Sequence, residues 1–155
     1  MNVTIDNATL EGYKAFTKKE DLIVYSQIVI KTTEEGPIEL LRYFKNSTDR
    51  ADLEKIADSD SWSKHTVEMH DEIDLEFGES KLQCKVTEIA VKRNLKKGKT
   101  TYKITFETDM AAEQVSQMVI PYFHAREEDL EPEKPGKMPK GPKYKKMMFV
   151  ATLSN

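Results

Sequence analysis

Residues 65–77 read HTVEMHDEIDLEF. Val67, Met69, Ile73, Leu75 and Phe77 fall on one side of an extended chain. Thr66, Glu68, His70, Glu72, Asp74 and Glu76 fall on the other. A period of two with a single apolar side marks a strand packed on one face and wet on the other, the habit of antiparallel sheets. The pattern continues beyond Gly78 at Leu82, Cys84 and Val86, and beyond Lys96-Lys97-Gly98-Lys99 at Tyr102, Ile104 and Phe106. Strands are therefore predicted over 65–77, 80–95 and 100–108. Between Val86 and Ile89 the alternation slips by one, with Glu88 where an apolar residue belongs. One extra residue in a strand is a β-bulge. Lys96 to Lys99 closes the hairpin that follows.

The rest of the chain supplies partners for these strands. Residues 2–16 read as an irregular strand with a break near Gly12, and Lys18 to Asp21 as a charged turn. Leu22 to Lys31 is rich in Ile, Val and Tyr, which favour strands. It carries apolar residues on both faces, with Ile23, Tyr25 and Val29 on the second. Such a strand is either central and covered on both sides or meets a partner chain. Gly36-Pro37 opens a short helix, since proline suits a first helical position, and a second helix is expected over about 48–58. Trp62 reads as the anchor of the loop after it. Asp109 can cap a helix from Met110 to about Val119, which Pro121 ends or kinks. Residues 126–143 hold four prolines, two glycines and dense charge, and read as a loop. Tyr144 to Leu153 alternates as a last strand.

The expected fold is α+β: one domain over 1–155, an antiparallel sheet of about six strands, and two or three short helices on one face. Its core is expected to hold Leu41, Val67, Met69, Ile73, Leu75, Leu82, Val86, Ile104, Phe106, Val115 and Met118. The element order also allows an internal ββαβ duplication, 1–78 and 79–155, at a shift of 78 residues. Against that, any α+β chain divides into similar halves, and identity at this shift is close to chance.

A chain of 155 residues, 38% hydrophobic and 33% charged, is too apolar to be disordered and long enough for a real core. Its net charge of -3 implies no partner, but the charge is segregated. Glu68 to Glu79 is acidic without Lys or Arg, Lys92 to Lys103 is basic without Asp or Glu, and Lys134 to Lys146 is lysine-rich and free of acids. One cysteine excludes an intrachain disulfide and fits a reducing compartment. The N-terminus MNVTIDNATLEGYK lacks the basic and apolar regions of a signal peptide, and no apolar run approaches the ~20 residues of a membrane span. The expected location is cytoplasmic.

No catalytic set emerges. Cys84 lies between Leu82 and Val86 on an apolar face and reads as a small core residue. His65 and His70 are five apart, so they point to opposite faces of a strand. His70 shares its side with Glu68, Glu72 and Asp74, but ligands spaced along one strand diverge, so this is a solvated acidic face. Phosphate-binding glycine loops, nucleophile elbows and zinc motifs are missing. No catalytic residue, metal or cofactor is assigned.

Two surfaces suggest binding. The hairpin carries Lys92, Arg93, Lys96, Lys97, Lys99 and Lys103, which suits a phosphate backbone or an acidic protein, or simply keeps the hairpin soluble. The proline-braced arm with Lys137, Lys140 and Lys143, together with Ile23, Tyr25 and Val29, suits a protein interface. Self-association or a protein partner is expected first, as in a structural subunit or inhibitor of a virus or mobile element. A nucleic-acid-binding accessory protein using 92–103 comes second, and a small enzyme without a recognisable motif third.

Overall fold

The computed structural model describes residues 2–17, 24–34, 36–45, 61–69, 71–94, 96–128 and 146–153. The strands are β1 (Asn2–Thr17), β2 (Val24–Thr32), β3 (Ser63–Thr66), β4 (Ile73–Phe77), β5 (Ser80–Asn94), β6 (Lys99–Thr108) and β7 (Met147–Leu153). Two α-helices accompany them among the described residues, α1 (Gly36–Glu39), continued by a 3-10 turn over Leu40–Tyr43, and α2 (Ala112–Glu128). All pairings are antiparallel. The expected helix at 48–58, the turn at 18–21 and most of the 126–143 loop lie outside the described residues. Residues 126–128 are helical, as the last turn of α2.

The sheet has seven strands rather than about six. The difference lies in 65–77, which is split into β3 and β4. Between them Met69 makes an isolated bridge to Phe44. Met69 and Val67 stay buried as the alternation required.

Six of the strands close into a ring. β1 pairs with β2, β2 with β6, β6 with β5, β5 with β4, β4 with β7, and β7 again with β1. The long strands β1 and β5 make this possible, because each changes neighbour along its length. β1 pairs with β7 up to Ala8 and with β2 from Thr9. β5 pairs with β4 over Ser80–Cys84 and with β6 over Lys85–Asn94. A register shift sits near each changeover, at Ile5/Ala8 and at Val86/Glu88. The second is the bulge that the misplaced Glu88 predicted. At the first, Asn7 adopts φ 47, a left-handed conformation that Asn tolerates better than most residues. Bulges bend strands, and bends are what a small barrel needs at its corners.

The ring maps onto itself when β1, β2 and β4 are exchanged with β5, β6 and β7. Antiparallel hairpin units can close in this way without repeated sequence. β3 has no counterpart among the described residues of the second half, and α1 spans 4 residues where α2 spans 17. The expected duplication is not supported.

The core fills the ring. Ile5, Ile28, Ile30, Leu75, Ile89, Ile104, Phe149 and Ala151 are fully buried, and Cys84 lies among them at 2% exposure. Each such isoleucine, leucine or phenylalanine contributes about 1.5–3 kcal/mol by leaving water. Leu41 and Met118, expected inside, are half-buried at the margin. Two buried threonines finish strand ends. Thr32 Oγ1 donates to the Asp6 carbonyl (2.8 Å) and accepts from the Glu34 N–H (3.0 Å). Thr108 Oγ1 donates to the Gln83 carbonyl (2.7 Å) and accepts from the Met110 N–H (3.2 Å).

The helices follow opposite ends of the β2–β6 ladder, α1 after Thr32 and α2 after Thr108. Pro121 neither ends α2 nor marks its last turn, for the helix continues to Glu128. Packing overrides the missing proline N–H. Val115 and Val119 are buried, and Tyr122 meets the edge of Phe77 at 5.7 Å and donates from its hydroxyl to the Phe77 carbonyl (3.4 Å). No helix among the described residues is long and apolar enough to cross a membrane.

Candidate functional site

The outward side chains of the barrel follow from the inward ones. Ile28 and Ile30 point in, so Val29 and Lys31 point out. Tyr102 and Ile104 point in, so Thr101 and Lys103 point out. Ile89 and Val91 point in, so Lys92 and Asn94 point out, and Ala90 shares their side of β5 but is covered there, at 3% exposure. Pairing then aligns rows across the outer face. Thr9 opposes Lys31, Lys31 opposes Lys103, and Lys103 opposes Ala90. In the next row Thr101 opposes Lys92, followed by Lys99 opposite Asn94 at the hairpin tip.

Lys31 and Lys103 are thus like charges placed directly opposite each other, an arrangement that costs stability. Trp62 offsets part of that cost. It immediately precedes β3, whose Ser63 pairs with Val91, so it stands beside Lys92. The ammonium of Lys103 sits 4.3 Å from the centre of a Trp62 ring, and those of Lys31 and Lys92 sit 5.9 Å away. Cation–π contacts of this kind are worth about 0.5–1 kcal/mol at exposed sites.

Around this ring lies a concavity of about 550 Å³. Lys31, Lys92, Lys97, Lys99, Lys103 and Lys146 line it, with Glu11 the one carboxylate among its described lining residues. Glu11 accepts a hydrogen bond from the Thr9 hydroxyl (3.1 Å). Among the described residues no carboxylate stands within ion-pair distance of these six lysines. Thr9, Thr32, Thr33, Thr101 and Asn94 complete the wall with short polar side chains. The hairpin tip is held by Asn94, whose Oδ1 accepts the N–H groups of Lys96 (3.1 Å) and Lys97 (3.2 Å).

Of the residues expected on the hairpin, Lys92, Lys97, Lys99 and Lys103 meet here. Lys96 and Arg93 are exposed and lie outside the cleft. Arg93 alternates with Lys92 along β5 and leaves from the other side of the ribbon. Lys31, Trp62 and Lys146 join from elements distant in sequence. Trp62 was expected to anchor its loop to the core. It is half-buried on the outer face instead. The alternation of β2 was enough to aim Lys31 outward, but the pairing of β2 with β6 that brings it to Lys103 has no local signal.

Of the expected protein interface, Tyr25 and Val29 are half-buried on the outer face of β2. Ile23, Lys137, Lys140 and Lys143 lie outside the described residues, as does His70. Cys84 is buried, and burial, reinforced by the carboxylates of Glu72 and Asp74, pushes its thiol well above the ordinary cysteine range. It packs as a core residue and is a poor nucleophile. Among the described residues no three His, Cys, Asp or Glu side chains gather to hold a metal ion.

No protein-family model, curated protein or solved structure matches the chain.

Proposed function

We propose that the protein binds nucleic acid, gripping the phosphate backbone in the lysine-lined cleft around Trp62. The observation that carries this reading is the opposition of Lys31 and Lys103 across neighbouring strands, with Lys92 beside them and no carboxylate in ion-pair reach among the described residues. Like charges held together at a cost in stability gain most when an anion lies between them. A chain of phosphates supplies several anions at the spacing of a groove, and each contact releases a condensed counterion. Thr33, Thr101 and the amide nitrogen of Asn94, in the wall of the cleft, add donors for phosphate oxygens. We favour this role over assembly with a protein partner because its residues converge in one concave site.

Salt dependence tests it. For an oligonucleotide, log K should fall linearly with log salt, and each lysine that neutralises a phosphate contributes about 0.7–0.9 to the slope. Lys31→Gln, Lys92→Gln and Lys103→Gln should each lower the slope by about that amount, while Arg93→Gln, outside the cleft, should leave it nearly unchanged. Absence of binding at low salt, or equal effects of Arg93 and the cleft lysines, would overturn the proposal.

A further inference from the structure

We infer that the ligand of this cleft is a single strand, with one unpaired base stacked against Trp62. This rests on the nucleic-acid reading above and specifies its substrate. Three features of the site point to it. First, the lysines encircle an aromatic ring instead of lining a ridge. Lys103, Lys31 and Lys92 all lie within 5.9 Å of a Trp62 ring centre, so a phosphate neutralised by any of them brings its own base to the indole. Second, the site is concave and small. A volume of about 550 Å³ is that of a small-ligand pocket, large enough for a splayed nucleotide. A duplex presents a convex backbone with its bases stacked inside, and the half-buried indole cannot reach them there. Third, the described lining contains no arginine, the residue that reads guanine in the grooves of a duplex. A lysine groove around an aromatic platform is the arrangement by which single strands are held without strong sequence preference.

The Lys103 ammonium now occupies the ring at 4.3 Å. An entering base takes that place, and the ammonium swings from the indole to a phosphate. The ring is already matched to a flat or cationic partner, and the swap costs one cation–π contact while gaining an ion pair and a stacked base.

Trp62 is the sole tryptophan of the chain, so its fluorescence reports this site alone. The test titrates the full chain with three probes at one salt concentration: an oligothymidylate of about 10 nucleotides, within the ~4–16 that one barrel-type module covers, its duplex with oligoadenylate, and inorganic polyphosphate. The oligothymidylate should bind most tightly and quench the fluorescence, and polyphosphate should bind with little quenching. Trp62→Ala should weaken oligothymidylate about 5- to 150-fold, as loss of one stacked base does, and leave polyphosphate within about threefold of the wild type, too little for a lost stack. Trp62→Phe should recover most of the loss, which also separates a stacking role from a folding defect. Lys103→Gln should keep the quenching while lowering the salt slope.

Binding of the duplex as tight as that of the single strand, or equal weakening of all probes by Trp62→Ala, would overturn the single-strand inference and leave nucleic-acid binding standing. Failure of every probe to bind would overturn both.

Discussion

Gly78 and Gly98 occupy the β4–β5 and β5–β6 hairpin turns and have nearly the same backbone, φ 57 and φ 60. Their surroundings differ. A Cβ on Gly78 would collide with the Tyr122 hydroxyl, whereas a Cβ on Gly98 meets nothing within 4 Å. Gly98→Ala therefore carries only the left-handed strain of about 1–2 kcal/mol. Gly78→Ala carries the same strain and must also displace the Tyr122 side chain from the Phe77 carbonyl it bonds. Thermal melts should show a drop of about 2–8 °C for Gly98→Ala and a clearly larger one for Gly78→Ala. Part of the excess should vanish in the double variant with Tyr122→Phe. Equal drops for the two glycines would mean that the Tyr122 contact has no energetic weight.

Cys84 gives a pH dependence whose sign follows from burial. Its folded thiol holds its proton far more tightly than an ordinary one. In the unfolded chain the thiol ionises above about pH 8.5. Below that value both states keep the proton and stability is unaffected. Above it the unfolded state binds fewer protons, so stability falls with rising pH by up to about 1.4 kcal/mol per unit. Cys84→Ala should flatten the alkaline limb of a stability–pH curve relative to the wild type. An unchanged limb would show that other groups dominate there.

The β5–β6 hairpin links this local chemistry to the cleft. Asn94 clasps the turn through two backbone N–H groups. Hydrogen bonds of this exposed kind contribute about 0.5–1.5 kcal/mol each. Asn94→Ala should lower the melting temperature by no more than about 10 °C. It should also weaken oligonucleotide binding by at most about 150-fold, with the salt slope preserved, because the lysines remain but are no longer held in place. A reduced slope would instead mean that Lys97 and Lys99 had left the site.

This hairpin was the most legible part of the chain. Its alternation, its lysine-rich turn and the bulge at Glu88 are all local properties of a few neighbouring residues. Legibility ends where the contacts become non-local. The alternation of 65–77 continues through a place where backbone pairing is interrupted, so one strand was read where there are two. Periodicity reports which way a side chain points, and it is silent about which strand lies alongside. Lys31, Trp62, Lys103 and Lys146 are ordinary in isolation and become a site only through the β2–β6 and β3–β5 ladders. The end of α2 escapes a local reading for a related reason: the cost of Pro121 is local, and the packing of Val115, Val119 and Tyr122 beside it is not.

Closure of the ring organises the molecule as a whole. Closure gives each of its six strands two neighbours, which shortens the free edges through which sheets aggregate. It also fixes the relative placement of the backbone rows contributed by β1, β2, β5 and β6, from which the lysines of the cleft project.

Asn2 lies directly across from Thr152, because β1 and β7 are neighbours. The described backbone thus nearly returns to its starting point. A circular permutant that links the end of β7 to the start of β1 through a short flexible bridge and starts afresh at Gly98 should fold with a sharp cooperative melt. Its affinity for oligothymidylate should nevertheless fall, since the cut frees the tip that carries Lys97 and Lys99. A permutant that cannot fold would mean that continuity of the hairpin tip, and not the circle of strands, holds the barrel together.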